Sequence, residues 1–369
     1  MAGLYIHIPF CHSKCAYCDF FSTPHIANIE QYADALLSEL ELRAHEISTP
    51  FTTIYIGGGT PSILQSNTLE RIVKGVSRFV DIATLKEFTI EANPEDVTNQ
   101  WVKTLIQLGI TRVSIGIQSF NDSELKAINR RHTAQKAIEA INILQQNGIY
   151  HISGDLIYGL PGQDIISWKK SLDQLMSLQL PHFSAYLLSY EPGTRLYTRL
   201  ITGKIEEASE ELVNEMYQYL TTTTRLHGYN HYEISNFATP GNEAVHNSNY
   251  WKDMPYLGIG VSAHSFDGQI RRFNPSNIKN YISQLLQGEC IYKIENEDAI
   301  ARHNDYIVVS LRTAQGIDLN YYRSKYNYDI LSIAKSHINA GRMILSDSHL
   351  AIAESAMLIS DRIMLDFIR

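Results

Sequence analysis

The sequence predicts an α/β fold, in which a partial (β/α)6 barrel is followed by a smaller, mainly helical C-terminal domain. In the first half of the chain, six short β-branched or aromatic runs alternate with longer amphipathic stretches. This alternation is typical of a parallel sheet with helices packed against it. It fades after the sixth run, whereas a closed eight-fold barrel needs about 250 residues for the repeat alone. We therefore expect an open barrel.

The predicted elements of the barrel lie within residues 4–188. The strands are expected at residues 4–8, 53–56, 87–91, 112–117, 151–156 and 182–187. The helices between them are expected at about 29–45, 66–80, 98–108, 134–147 and 165–178. Ligands collect at the carboxyl ends of the strands in sheets of this kind, so the residues that follow each strand are the candidates for function.

Composition excludes two classes of protein. The 369 residues are 44% apolar and 19% charged, as in an ordinary globular protein. A formal charge of −8 without a basic stripe argues against nucleic-acid binding. No stretch reaches about 18 consecutive apolar residues, and the start of the chain lacks the pattern of a signal peptide. We expect a cytoplasmic protein without a transmembrane segment.

The most specific feature is a cysteine loop directly after the first predicted strand. Cys11, Cys15 and Cys18 follow the pattern C-x3-C-x2-C and are three of only four cysteines. They lie too close together to form relaxed disulfides, and clustered thiolates favour zinc or iron–sulfur centres. Structural zinc requires four ligands, whereas a [4Fe-4S] cluster held by three cysteines keeps one iron open. The fourth cysteine, Cys290, is far away and is predicted to be an ordinary buried thiol.

Other unusual residues follow the next strands. Residues 57–61 (GGGTP) follow the second strand, and Glu91, Gln118 and Asp155 close the third, fourth and fifth. Successive glycines let a backbone approach a ligand closely, although a tight turn explains them equally well. Glu91 also fits an acid at the start of a helix. All of these residues are expected at one rim of the barrel.

The spacing of the cysteines, together with the flanking IHIPFC and YCDFFS, resembles the radical S-adenosylmethionine (SAM) superfamily. Within it, the chain is similar to oxygen-independent coproporphyrinogen III oxidases and to their relatives, the HemW-type haem chaperones. The resemblance covers nearly the whole chain and implies a TIM-like partial barrel of radical SAM type. It implies a [4Fe-4S] cluster on Cys11, Cys15 and Cys18, whose open iron binds SAM. An electron donor would reduce the cluster, and SAM would then be cleaved to a 5′-deoxyadenosyl radical without a general acid or base.

The same resemblance assigns further residues to the SAM site and active site. One of them, Arg130, stands beside Arg131, and a surface salt bridge is the alternative role for it. The residues assigned are Tyr5, Gly58, Gly59, Thr60, Glu91, Gln118, Arg130 and Asp155.

A composition shift and the turn ATPGN near residues 237–241 divide the chain into a core domain, residues 1–237, and a C-terminal domain, residues 238–369. At the start of the latter, HNSNYW (residues 246–251) resembles a haem motif and implies that His246, exposed in a polar loop, binds haem. A merely solvated histidine is the alternative, and His231, His264 and His303 are further candidate ligands. The Gly-rich residues 257–265 are expected to form a loop over the SAM rim. Helices are expected from about Glu297, the first at 299–313, with a short apolar wing at 350–353.

Three features favour a haem chaperone over an oxidase. Asp19-Phe20 stand where the oxidases have a fourth cysteine, the cysteine loop begins at residue 11 without their longer extension, and HNSNYW is present. The resemblance then implies delivery of haem to acceptor proteins such as respiratory cytochromes, with a homodimer possible. A decarboxylating coproporphyrinogen oxidase and a radical SAM enzyme for another substrate remain as alternatives.

Overall fold

The computed structural model describes residues 2–295, 298–326 and 328–369. Within these ranges, twelve strands form one open sheet and three strands form a second, small sheet. The large sheet contains β1 Ala2–Ile8, β2 Phe51–Gly58, β3 Glu87–Ala92, β4 Arg112–Gln118, β5 His151–Tyr158, β6 His182–Leu187, β7 Asn230–Glu233, β8 Asn236–Ala238, β9 Tyr256–Ile259, β10 His264–Phe266, β11 Arg271–Phe273 and β12 Lys293–Glu295. The small sheet contains β13 Ile317–Asp318, β14 Met343–Leu345 and β15 His349–Ile352.

The helices surround the large sheet and build the C-terminal region. They are α1 Ile29–Arg43, α2 Ser66–Val76, α3 Asn99–Gln107, α4 Asp122–Ala127, α5 Ala134–Gln146, α6 Ile165–Ser177, α7 Arg195–Ile201, α8 Glu210–Leu226, α9 Val245–Trp251, α10 Ile278–Leu285, α11 Ala299–Leu311, α12 Leu319–Lys325, α13 Ile330–Asn339 and α14 Ser360–Leu365.

Strands β1 to β6 lie side by side in chain order, and each pairs with the next in parallel. The predicted open (β/α)6 barrel is therefore confirmed, and all six strands and five helices are found with ends shifted by a few residues. Helix α4 was not predicted. It has six residues, begins where the Asn121 side chain accepts the Ser123 N–H, and is too short to show helical periodicity.

Alternation along the strands places apolar side chains outside the barrel and polar ones inside it. On β1, Leu4, Ile6 and Ile8 are buried in the main hydrophobic core against helices such as α1. The residues between them point the other way, and the Tyr5 ring lies 6.2 Å from the Tyr55 ring of β2. The inside of the barrel is consequently a polar space.

The sheet continues beyond residue 237. Strand β9 pairs in parallel with β1, and β10 to β12 extend this edge in antiparallel fashion. The expectation of a loop at residues 257–265 is wrong in part, because β9 and β10 occupy most of it and only residues 260–263 turn between them. A Cβ on Gly258 would lie 1.9 Å from the His264 carbonyl oxygen, so glycine here allows close strand packing. The domain boundary at residues 237 and 238 stays a prediction.

The C-terminal region consists of α11 to α14 with the small sheet β13-β15-β14. The predicted first helix is present as Ala299–Leu311, and residues 350–352 of the apolar wing predicted at 350–353 belong to β15. The expected beginning of this region at Glu297 lies outside the described residues. Leu311, Leu350 and Ile363 belong to the same hydrophobic core as β1, so the region packs directly on the barrel.

Candidate functional site

The glycine run brings the end of β2 against the chain that enters the cysteine loop. The N–H of Gly59 donates to Ile8 O at 2.8 Å, and that of Thr60 donates to Phe10 O at 2.8 Å. A Cβ on Gly59 would lie 2.8 Å from the same two oxygens. Gly58 has φ +109°, and a Cβ there would lie 2.4 Å from the His7 ring. Glycine is thus required both for the turn and for close approach, which an ordinary tight turn does not explain.

The three loop cysteines are all free thiols. Thr60 Oγ1 donates to Cys11 Sγ at 3.4 Å, and Arg130 Nη1 donates to Cys15 Sγ at 3.5 Å. Burial raises the pKa of Cys11, and it raises that of Cys18 to about 11. At Cys11 the hydrogen bond from Thr60 and the charge of Arg130 oppose this shift without cancelling it, and metal binding itself requires the deprotonated thiolate.

Among the described residues, no group of three or more His, Cys, Asp or Glu side chains converges as on a single metal ion. The cysteines of an iron–sulfur cluster differ in this respect, because each one ligates a separate iron atom. The donor set of three clustered thiols with neighbouring Thr60 and Arg130 therefore fits a cluster. Cys290, in contrast, is exposed, and the prediction of a buried thiol is wrong. Its position between α10 and β12, near the edge of the sheet, was not visible in the sequence.

Glu91 is held inside the rim rather than at the start of a helix. Its Oε1 accepts from Tyr55 OH at 2.7 Å, and its Oε2 accepts from Gly58 N at 3.0 Å. Burial raises the pKa of Glu91 to about 7, although the hydrogen bonds from Tyr55 and Gly58 oppose this shift. The alternative of a helix-start acid is wrong, because Glu91 lies in β3 and its carboxylate binds β2.

Arg130 and Arg131 have opposite surroundings. Arg130 Nη2 donates to Asn93 Oδ1 at 2.8 Å and to Gly116 O at 2.5 Å, in addition to its contact with Cys15. Arg131 is half-exposed and lies 3.7 Å from Glu95. The surface salt bridge considered for Arg130 therefore belongs to its neighbour.

The remaining predicted residues line the inside of the barrel. Asp155 accepts from Ser184 Oγ at 2.8 Å and from Ser114 Oγ at 3.1 Å, and burial raises its pKa to about 6. The prediction that Asp155 closes β5 is wrong, because that strand continues to Tyr158. Gln118 is the last residue of β4 and has a left-handed backbone with φ 66°. Tyr5 is buried on β1, and burial raises its pKa well above the usual value.

His246 is not exposed in a polar loop. It lies in α9, its exposed fraction is 1%, and burial lowers its pKa to about 3. Nδ1 lies 2.9 Å from Thr53 Oγ1, and Nε2 lies 2.8 Å from Tyr250 OH. The prediction of an exposed imidazole is wrong, because Glu87 accepts the N–H groups of Val245 and His246 at 2.9 and 3.0 Å and turns the polar HNSNYW into a helix over the barrel.

The other three candidate histidines differ in their surroundings. His303 is buried with Nε2 2.8 Å from Tyr322 OH, and His231 Nε2 lies 3.2 Å from Ile234 O. His264 is exposed at the start of β10 and lines a cavity of about 490 Å³.

Sequence reasoning missed several residues of the site. Asn93, which accepts from Arg130, follows β3 directly. Tyr55 donates to Glu91, and its inward direction could have been read from the strict alternation along β2. Ser114 and Ser184 were missed for the same reason. In the part of the chain that the structure describes, no helix is long and apolar enough to span a membrane.

Comparisons with known proteins address both family and fold. Residues 5–175 match the model of the Radical SAM superfamily. The chain is 35% identical to the heme chaperone HemW of Lactococcus lactis subsp. lactis (strain IL1403), over 87% of this chain and 84% of that protein. It is 31% identical to the heme chaperone HemW of Bacillus subtilis (strain 168), over 98% of each. Coproporphyrinogen III oxidase (HemN) from Escherichia coli, a radical SAM enzyme, has a similar structure, with a TM-score of 0.84 over 99% of this chain and 89% of that one. At 22% sequence identity, this similarity concerns the fold alone.

Proposed function

Because the chain belongs to the radical SAM superfamily and to its family of HemW heme chaperones, we propose that it binds haem and delivers it to acceptor proteins. The observation that carries this proposal is the similarity to the Bacillus subtilis HemW over 98% of both chains, which includes the HNSNYW helix and the C-terminal region. Haem proteins such as respiratory cytochromes are the acceptor class that we propose.

Within this function, Cys11, Cys15 and Cys18 are proposed to hold a [4Fe-4S] cluster. Their support is that all three thiols are free and that Thr60 and Arg130 donate hydrogen bonds to two of them. When bound, the cluster would supply an open iron for SAM and one electron from a reducing partner. The loop itself keeps the thiols beside the barrel rim.

The SAM site is proposed at the same rim. Gly58, Gly59 and Thr60 would present backbone groups to SAM, and Glu91 would keep the glycine run in place through its hydrogen bond to Gly58. The side chains that would complete the site from the neighbouring strands and the following loops are Tyr5, Gln118, Arg130 and Asp155.

Oxidase chemistry is the alternative that an experiment must separate. Asp19 and Phe20 are exposed, and Phe20 stands where the oxidases have a fourth cysteine. The three cluster cysteines are unaffected by this difference. We therefore expect the cluster without coproporphyrinogen turnover.

The test uses anaerobically reconstituted protein in two parallel assays. In the first, haem is titrated while the Soret band is followed, and the loaded protein is mixed with an apo-cytochrome whose reconstitution is measured. In the second, the protein is incubated with SAM, a reductant and coproporphyrinogen III. We expect one haem per chain, transfer to the acceptor faster than from free haem, and no protoporphyrinogen. Turnover of coproporphyrinogen without saturable haem binding would identify an oxidase instead.

A variant in which Cys11, Cys15 and Cys18 are all replaced by Ala serves as the control for the cluster. If it still binds haem, haem binding does not depend on the cluster.

A further inference from the structure

Two neighbouring cavities form one cleft between α9, the β9–β11 edge of the sheet and α11. Their volumes are about 490 and 1000 Å³, and Trp251, Phe266 and Arg271 line both of them. We call this the α9 cleft. Pockets of roughly 300–1,000 Å³ hold drug-sized organic molecules, so the cleft has room for a tetrapyrrole.

His264 presents its imidazole to this cleft. The ring stacks on Phe273 with centroids 5.7 Å apart and an angle of 24°, which fixes its orientation. Within the described chain, no hydrogen bond occupies either ring nitrogen of His264, unlike those of His246 and His303. Although the residue is exposed, partial burial of the ring lowers the pKa of His264, which favours the neutral form that binds iron.

We infer that haem is held in the α9 cleft with the His264 imidazole as its axial ligand, and that His246 is a positioning residue rather than the ligand. The inference rests on the proposed function, since it names the site at which this chain would take up its haem. A histidine imidazole is one of the side chains that hold haem iron as an axial ligand in proteins.

The side chains that line the cleft match the two parts of a haem molecule, the apolar macrocycle and the acidic propionates. Phe20, exposed by 65%, as well as Trp251 and Phe266, provides flat apolar surface for the macrocycle. Exposed Arg302 and Lys325 line the larger cavity, where propionates would lie. Among the described residues, the indole Nε1–H of Trp251 is buried without a hydrogen-bond partner, and a carboxylate would satisfy this donor.

Acidic groups also face the cleft, and they limit which cations are available. Asp253 and Asp305 line both cavities, and Arg271 forms an ion pair with Asp305. We therefore assign the propionates to Arg302 and Lys325 rather than to Arg271.

His246 is separated from the cleft by its own hydrogen-bond partner. It lines neither cavity, whereas Tyr250, whose OH lies 2.8 Å from His246 Nε2, lines the smaller one. On its other side, a Cβ placed on Gly3 would lie 3.0 Å from His246 Cε1, so no macrocycle fits there. His246 thus holds Tyr250 and α9 in place, and its loss would weaken haem binding indirectly.

The experiment compares wild type with His264→Gln, His264→Gly and His246→Gln, with His349→Gln as a matched control in the larger cavity. Haem affinity is measured by titration, and the axial ligand is identified from the electron paramagnetic resonance and magnetic circular dichroism spectra of the ferric complex. Circular dichroism of the free proteins confirms folding. We expect His264→Gln to lose at least tenfold in affinity together with the histidine-ligand signature, and added imidazole to restore that signature in His264→Gly.

We expect His246→Gln to keep the histidine-ligand signature even where its affinity falls, and His349→Gln to bind within twofold of wild type. If wild type binds haem and His264→Gln keeps both affinity and spectrum, the inference is wrong while the proposed function stands. The inference is equally wrong if His246→Gln or His349→Gln alone loses the signature. Absence of saturable haem binding by wild type would refute the proposed function, and the inference with it.

Discussion

The Glu91 carboxylate accepts a hydrogen bond from the backbone N–H of Gly58 at 3.0 Å, which ties β3 to the glycine run at the end of β2. Its second oxygen accepts from Tyr55 OH at 2.7 Å. Because both oxygens are occupied by protein donors, the carboxylate sets the position of the glycine backbone at the rim. Loss of these hydrogen bonds should therefore affect ligand binding as well as stability.

Glu91→Gln is expected to weaken SAM binding by the cluster-loaded protein at least tenfold. The amide has one acceptor oxygen, so it leaves either the Tyr55 or the Gly58 donor unpaired, and a buried unpaired group costs about 1–3 kcal/mol. Anaerobic equilibrium dialysis with SAM measures the change. Glu70→Gln, which removes an exposed ion pair with Lys74 on α2, is the control. Equal SAM affinity of both variants would show that Glu91 does not contribute to the SAM site.

Gly58→Ala is expected to destabilise the protein and to reduce its iron content after reconstitution. The new methyl would lie 2.4 Å from the His7 ring on a backbone with φ +109°. Gly148→Ala is a matched control, since Gly148 also has positive φ but nothing within 4 Å of an added Cβ. The control should lose only about 1 kcal/mol of unfolding free energy and no iron. Similar losses in both variants would show that conformational strain, and not the contact with His7, is what matters.

The sequence was sufficient for the barrel and for the cysteine loop because both rest on local patterns. The six strands differ from prediction mainly at their ends, as β2 shows by running from Phe51 to Gly58, and the three cysteines specify their chemistry by spacing alone. The family predicted from these motifs is confirmed by 31% sequence identity to a HemW protein over 98% of the chain.

The burial of His246 and the strand β9 were not predictable in this way. His246 is enclosed by Thr53 of β2 and by Glu87 of β3, more than 150 positions earlier in the chain. Strand β9 is short and contains Gly258, so its pairing with β1 depends on close backbone approach that composition does not reveal. Polar or Gly-rich segments gain their structure here from distant partners, and a local pattern describes them as loops.

Arg130→Lys is expected to lower cluster stability, whereas Arg131→Lys should not. The Arg130 guanidinium donates to Cys15 Sγ, Asn93 and Gly116 at once, and a lysine ammonium has no planar fork with which to bridge these three acceptors. The measurement is the rate at which a chelator removes iron from the reconstituted protein, followed by loss of visible absorbance. Faster removal from Arg131→Lys than from Arg130→Lys would contradict the assignment of the two residues.

His182→Gln is expected to make the cluster-free protein less sensitive to acid. His182 is buried, with Nδ1 2.6 Å from Ser153 Oγ and Nε2 2.8 Å from Tyr232 OH, and burial, followed by the charge of Arg112, lowers its pKa well below 6.5. The folded state therefore binds fewer protons than the unfolded state, and the stability that neutral His182 provides is complete above pH 6.5 and falls as the pH decreases below it. The slope from one such group approaches about 1.4 kcal/mol per pH unit. Urea unfolding at pH 7.5 and 5.5 should thus show a smaller loss in His182→Gln than in wild type, while exposed His151→Gln should match wild type. An equal loss in all three proteins would mean that His182 is protonated as readily in the folded state as in the unfolded one.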